Sequence, residues 1–158
     1  MDTVVAEENN LLVKQFQQLN DPDGAVDDNQ LLQFFDSLPA MPASRMLGDW
    51  TGGILSHAHP VEKQLKVMAW HGKRFTSADD VNPIISIDAA GNRFVNDILG
   101  TASLREVVFR GVPTATMIYD KSPVLDHFRK VSDDLVVGVM DQKGSERPLV
   151  FFLSRLPA

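Results

Sequence analysis

The chain contains no cysteine. Disulfide cross-links and thiolate-ligated metals are therefore excluded, and a reducing compartment fits. No apolar run approaches the roughly 20 residues that a bilayer-crossing helix needs. The opening "MDTVVAEENN" lacks the basic-then-apolar order of a secretory signal. A cytoplasmic location with no membrane span is expected. There is also no basic face. Residues 1–36 hold eight acids (Asp2, Glu7, Glu8, Asp21, Asp23, Asp27, Asp28, Asp36) against Lys14 alone, and the remaining 14 bases and 13 acids nearly cancel. Nucleic acid is accordingly not expected as a partner. A Gly-rich phosphate loop, a nucleophile-elbow serine and paired glutamates at cleft-like spacing are all missing.

What is present suits one globular domain: 158 residues, 44% hydrophobic and 23% charged. Leu12, Phe16 and Leu19 recur at helical spacing, predicting a helix from about Val5 to Leu19. Pro22 and Gly24 in "NDPDG" end it. A second helix is predicted from about Asp28 to Leu38, capped by Asp27 or Asp28, with Leu31, Phe34, Phe35 and Leu38 as its apolar stripe. The linking "LNDPDGAVDDNQLL" imitates a calcium-binding helix–loop–helix. However, with Gly24 at loop position 6, the first and twelfth positions fall on Leu19 and Gln30, so the essential carboxylates are missing. "LPAMPAS" (38–44) reads as an extended connector enforced by Pro39 and Pro42.

After Gly48 the texture changes. "HPVEKQLKVMAW" (59–70) reads as one short helix with Pro60 in its first turn. The remainder consists of short β-rich runs broken by turn signals: "PIISID", "LREVVFR", "TATMIYD", "VLDHFRKV", "LVVGVMD" and "LVFFLSRL". Such spacing predicts an antiparallel barrel or sandwich. The expected organisation is a helical arm over 1–44 and a β-barrel over 45–158, divided into modules of about 45–100 and 101–158.

Within "MLGDWTGGIL" (46–55) the largest side chain, Trp50, stands among Gly48, Gly52 and Gly53. Glycines let a first barrel strand bend, and Trp50 shares a face with Gly52 and Ile54 by the two-residue period. A Trp that plugs a barrel end is best covered by an arginine, through cation–π stacking. Arg155 alternates with Leu153 and Phe151 onto one face of the last run. Gly-x-Trp at one end and a final-strand Arg at the other resemble the calycin superfamily. That likeness implies a mainly β, calycin-like antiparallel barrel, preceded here by two N-terminal α-helices. It also implies structural roles for Trp50, Arg155, Gly48 and Gly52, and an open end that admits an apolar ligand.

A closer resemblance covers most of the chain. "FFDSLP" (34–39), "MLGDWTGG" (46–53), "HP" (59–60), "WHGKRF" (70–75), "FRGVPTATMIYDKSPVLDHFRKV" (109–131), "VVGVMDQKG" (136–144) and "FFLSR" (151–155) occur in order. Together they resemble the bacterial GXWXG family, a GXWXG module joined to a C-terminal domain of unknown function. The resemblance assigns no functional residues. The chain departs from the family's pattern in carrying His57-Ala58 where relatives have Thr-Gly, and in a short polar stretch between Asn82 and Leu104. Both departures bear on cavity size. Nitrobindin-like haem barrels share a Gly-x-Trp-x-Gly start, which makes His-ligated haem a related alternative.

The densest polar cluster is "MIYDKSPVLDHFRK" (117–130). As strands, Met117 and Tyr119 share a face, as do Leu125, His127, Arg129 and Val131, while Asp126, Phe128 and Lys130 take the opposite one. If the first set faces inward, Tyr119, His127 and Arg129 project polar groups into an apolar cavity. Arg and Tyr there suit a carboxylate, with Asp120 and Asp141 available as compensating acids. The alternative is an internal salt-bridge network or an exposed face. His127 also suits general acid–base work, oriented by Asp120, Asp126 or Asp141. "WHGKRF" either rims the pocket through Trp70 and Lys73 or is a solvated strand end with Trp70 and Phe75 in the core. His57, His59 and His71 lack an acid at ligand spacing, so neither a metal nor any other cofactor is expected. The leading expectation is a barrel that binds a small apolar molecule, contacted by Met117, Tyr119, His127, Arg129, Trp70 and Lys73. The alternatives are a cofactor-independent isomerase, cyclase or hydrolase using His127 with Asp120, and an interaction module that forms a homodimer through the helical arm.

Overall fold

The computed structural model describes residues 3–24 and 26–158. Asp2 of the acidic arm and Ala25 of the Asp-rich loop lie outside them. The chain runs α1 (Thr3–Leu19), α2 (Asp28–Ser37), a 3-10 turn (Ala43–Met46), β1 (Gly48–Ile54), α3 (Glu62–Val67), β2 (Trp70–Ser77), β3 (Asp80–Ile87) and β4 (Arg93–Val95). It continues with β5 (Ala102–Phe109), β6 (Val112–Tyr119), β7 (Val124–Ser132), β8 (Leu135–Gln142) and β9 (Leu149–Arg155). All strand pairs are antiparallel. The order β2-β1-β9-β8-β7-β6-β5-β3 is closed by pairing of β2 with β3, and β4 is appended to β3. The fold is therefore mainly β, a closed eight-stranded antiparallel barrel with two helices before it, as the turn spacing predicts.

Local chemistry sets the helical arm. Asp27 accepts a hydrogen bond from the Gln30 amide at 2.8 Å, and the Gln30 side chain accepts from the Asp27 amide at 3.0 Å. This reciprocal capping box satisfies two otherwise orphaned donors at the start of α2. Leu38, extended ahead of Pro39, ends the helix. The expected helix over 59–70 is shorter. It covers only Glu62–Val67, because Ala69 adopts a left-handed φ of 51° and Trp70 already belongs to β2.

Two apolar cores result, one on each side of the barrel wall. Inside lie Trp50, Phe75, Leu104, Met117, Phe128, Val136 and Leu153. Outside, Phe16, Leu31, Phe34, Phe35 and Leu38 of the arm pack on Val131, Val137, Val139 and Val150. The arm thus spends its apolar stripe on its own barrel. β7 and β8 are consequently buried on both faces, and their burial does not alternate.

At one barrel end Trp50 is fully buried and its indole donates to the Met46 carbonyl at 2.8 Å. Trp50 and Arg155 are direct cross-strand partners, and the Arg155 guanidinium sits 4.1 Å from the indole ring. Arg155 also donates to the carbonyls of Arg45, Leu47 and Asp133 and to the Asp134 carboxylate. Gly52 does something other than bend the strand. A Cβ there would collide with the Trp70 ring, so the absence of a side chain at Gly52 is what admits that indole.

A candidate ligand cavity

A cavity of about 230 Å³ lies between the inner core, α3 and the loop before β7. Its walls are largely apolar: Val61, Leu65, Met68, Ile84, Met140, Leu149 and Phe151. Gln64, Ser122 and Gln142 bring neutral polar groups to the lining, and Trp70, Lys73, Tyr119 and Asp126 bring the buried ones.

Strand register decides which polar groups face inward. Lys73 lies opposite Trp50 on β1, and Asp126 lies opposite Met117 on β6. The two meet as an ion pair, Lys73 Nζ to Asp126 Oδ2, at 3.2 Å, and Lys73 also donates to the Pro83 carbonyl at 3.2 Å. Three rings surround the ammonium, those of Trp70, Tyr119 and Phe151, with centroids 5.6, 5.8 and 5.5 Å away. Burial pushes the Lys73 amine down from its ordinary range against the opposing pull of Asp126. Burial likewise pushes the Asp126 carboxyl up, opposed by Lys73. The two groups are thus closer in proton affinity than they are in water. Burial, with Asp126 nearby, raises Tyr119 well above 10.0 and keeps it a neutral phenol.

Two polar atoms at this site have no protein partner: Asp126 Oδ1 and Trp70 Nε1. An unsatisfied buried polar group costs about 1–3 kcal/mol. One is an acceptor and the other a donor: a hydroxyl has the chemistry to satisfy either, and a carbonyl the indole N–H alone.

The remaining sequence-predicted residues lie elsewhere. Met117 packs in the inner core, short of the cavity. His127 and Arg129 are on the outer face of β7, not the inner one. His127 stacks on Phe109 with centroids 3.7 Å apart, approaches Thr116 Oγ1 at 2.8 Å through Nδ1, and meets Asp141 at 3.2 Å through Nε2. Burial lowers its pKa, against the pull of Asp141. Arg129 donates to the carbonyls of Phe35, Asp36 and Leu38, which end α2, and covers the Phe35 ring at 4.7 Å. Asp120 is exposed, accepts from Thr101 and Ser103, and does not meet His127. The histidines are dispersed: His59 between Val61 and Arg147, His71 accepting from Arg93, and His57 exposed. Among the described residues no group of three His, Cys, Asp or Glu could hold a metal, and no helix is long and apolar enough to cross a membrane.

Asp126 is the residue that the inward set lacked. Its sequence signal is Met117: once Met117 and Tyr119 are placed inside, the β6–β7 register carries Asp126 and Phe128 in with them.

Comparison with known proteins agrees with the fold. The family described as "GXWXG protein" matches residues 33–91, and the "Domain of unknown function (DUF4334)" matches residues 100–155. A crystal structure of a protein from Thermomonospora curvata is similar over 96% of this chain and 99% of that one, at 38% identity and a TM-score of 0.85. No curated protein matches. The glycine that seats Trp70 and the Trp50 that plugs the barrel end are thus the motif of a wider group, and this chain belongs to the GXWXG family, with a DUF4334 domain in its C-terminal part.

Proposed function

We propose that the barrel binds a small, neutral, largely apolar molecule whose polar end carries a hydroxyl or a carbonyl. The observation that supports this reading is a largely apolar cavity whose lining includes Asp126 and Trp70, each with a buried polar atom, Oδ1 and Nε1, that has no protein partner. The volume, about 230 Å³, is just under the roughly 300–1,000 Å³ of drug-sized sites, which sets a small ligand. Charge argues against a carboxylate. Lys73 and Asp126 already neutralise one another, so an anion would enter an apolar site without a free cation and beside a carboxylate oxygen. A cytoplasmic location belongs to the same reading, supported by the lack of cysteine.

The test is a titration with hexan-1-ol and with hexanoate, followed by the indole N–H resonance of Trp70. Hexan-1-ol is expected to shift that resonance and to bind at least about tenfold more tightly than hexanoate, the ratio for one unpaired buried charge or hydrogen bond worth 1.4 kcal/mol. A preference for hexanoate overturns the neutral-ligand reading, and no shift with either compound overturns the cavity.

A further inference from the structure

We infer that Lys73 is a carbonyl-capturing amine, forming an imine with an aldehyde or ketone admitted to the cavity while Asp126 carries the protons. The inference rests on the small-molecule reading above and gives its ligand class a chemistry.

Three observations converge on it. First, Lys73 and Asp126, though almost fully buried, are both among the residues that line the cavity. Second, Asp126 holds Nζ through Oδ2, 3.2 Å away, and its Oδ1 has no protein partner, so the carboxylate keeps one oxygen uncommitted next to the amine. Third, Trp70, Tyr119 and Phe151 enclose the amine in rings that exclude water, the reagent that hydrolyses imines. The lowered proton affinity of the buried amine supports the same chemistry, because only the free amine is a nucleophile.

The step balances within the site. The Lys73 ammonium gives one proton to Asp126, and the freed lone pair of Nζ attacks the carbonyl carbon as the C=O π pair moves to oxygen. Asp126 takes a further proton from nitrogen after passing its first to that oxygen, giving a neutral carbinolamine. It then delivers the second proton to the hydroxyl. The C–O bond breaks, water leaves, and the nitrogen lone pair forms the C=N bond. The products are a protonated imine, a carboxylate and one water. No oxidant or reductant is needed, and the cavity still holds one cation facing one anion. The rings and the carboxylate that stabilise the ammonium stabilise the iminium equally.

The experiment treats the full chain with substoichiometric hexanal and cyanoborohydride and locates the reduced hexyl adduct by peptide mapping. The chain has seven lysines, and six of them (Lys14, Lys63, Lys66, Lys121, Lys130, Lys143) are competitors. Lys73 is expected to be labelled at least about tenfold faster than any other lysine, a preference of about 1.4 kcal/mol for the captured aldehyde. A buried lysine of merely structural role would be the slowest of the seven. Asp126→Asn should slow labelling of Lys73 without changing the other six, and Lys73→Arg should abolish the fast phase. Labelling of Lys73 no faster than the rest overturns the inference. If hexan-1-ol shifts the Trp70 indole while Lys73 stays protected from hexanal, the imine fails and the binding reading survives. If neither compound engages the cavity, both fail.

Discussion

Asp126 and Phe128 on the inner face of β7, and His127 and Arg129 on its outer face, are equally withdrawn from water, at 2%, 0%, 1% and 3% exposure. What distinguishes the faces is how their polar atoms are satisfied. Outside, both ring nitrogens of His127 find partners, and Arg129 donates to three carbonyls at the end of α2. Among the described residues, the buried atom without a partner there, Arg129 Nε, belongs to a guanidinium stacked on Phe35. Inside, Asp126 keeps an oxygen without a partner and faces open volume. A saturated buried polar group holds a fold together. An unsaturated one beside a cavity is the feature on which the proposed binding rests.

The largest effect should come from breaking the inner pair. Lys73→Met leaves Asp126 buried without its cation and is expected to cost about 3–5 kcal/mol at neutral pH. The sign with pH is definite. In that variant the folded pKa of Asp126 rises further above its ordinary value near 3.8. Stability is then retained below the unfolded pKa and lost as pH rises through the folded one. Thermal melts over pH should show the variant approaching the wild type in acid, and a deficit that does not change with pH would show that packing, not charge, is lost. Lys73→Met combined with Asp126→Leu should recover most of the loss, because removing both charges removes the desolvation cost as well.

The comparison of the two faces also shows how much was legible beforehand. Barrel, helical arm and the Trp50–Arg155 plug could all be read from turn spacing, helical periodicity and a cation–π argument. The polarity of β7 could not. Alternation identifies an inward face only when the other face is wet, and here α2 and α1 cover the outside, so both faces of "VLDHFRKV" are buried. Arg129 and His127 look like cavity residues for the same reason that they are not: their partners are carbonyls and side chains brought in from distant positions. The 94-residue separation of Arg129 from Phe35 leaves no local trace. The role of Gly52 was hidden likewise, because its neighbour Trp70 comes from the adjacent strand.

A smaller effect sharpens the inner side. Gly52→Ala places a methyl group where the Trp70 ring lies, and the strand cannot move freely because Gly52 is registered with Leu153. Overpacking of this kind costs about 1–3 kcal/mol. The informative readout is the cavity: the Trp70 indole resonance should move in the free protein, and hexan-1-ol binding should weaken. Binding unchanged after a shift in that resonance would remove Trp70 from the ligand's partners and leave Asp126 alone.

The smallest effect should come from the outer face. His127→Asn removes the stack on Phe109 and the contact with Asp141 but touches no atom of the cavity wall. Hexan-1-ol affinity should therefore stay within about twofold, less than 0.5 kcal/mol, whereas an acid–base or ligand-contacting His127 would lose binding or turnover outright. Its signature lies in pH. Burial holds the folded His127 below its ordinary 6.5, so it contributes stability above that value that is lost as pH falls through the folded pKa. Asp141 and Asp126 are the charged groups that oppose this shift. His71, lowered by burial and by Arg93, gives a slope of the same sign in both proteins. The difference between the wild-type and His127→Asn slopes below pH 6.5 isolates the outer histidine, and identical slopes would mean that His127 titrates as it does in the unfolded chain.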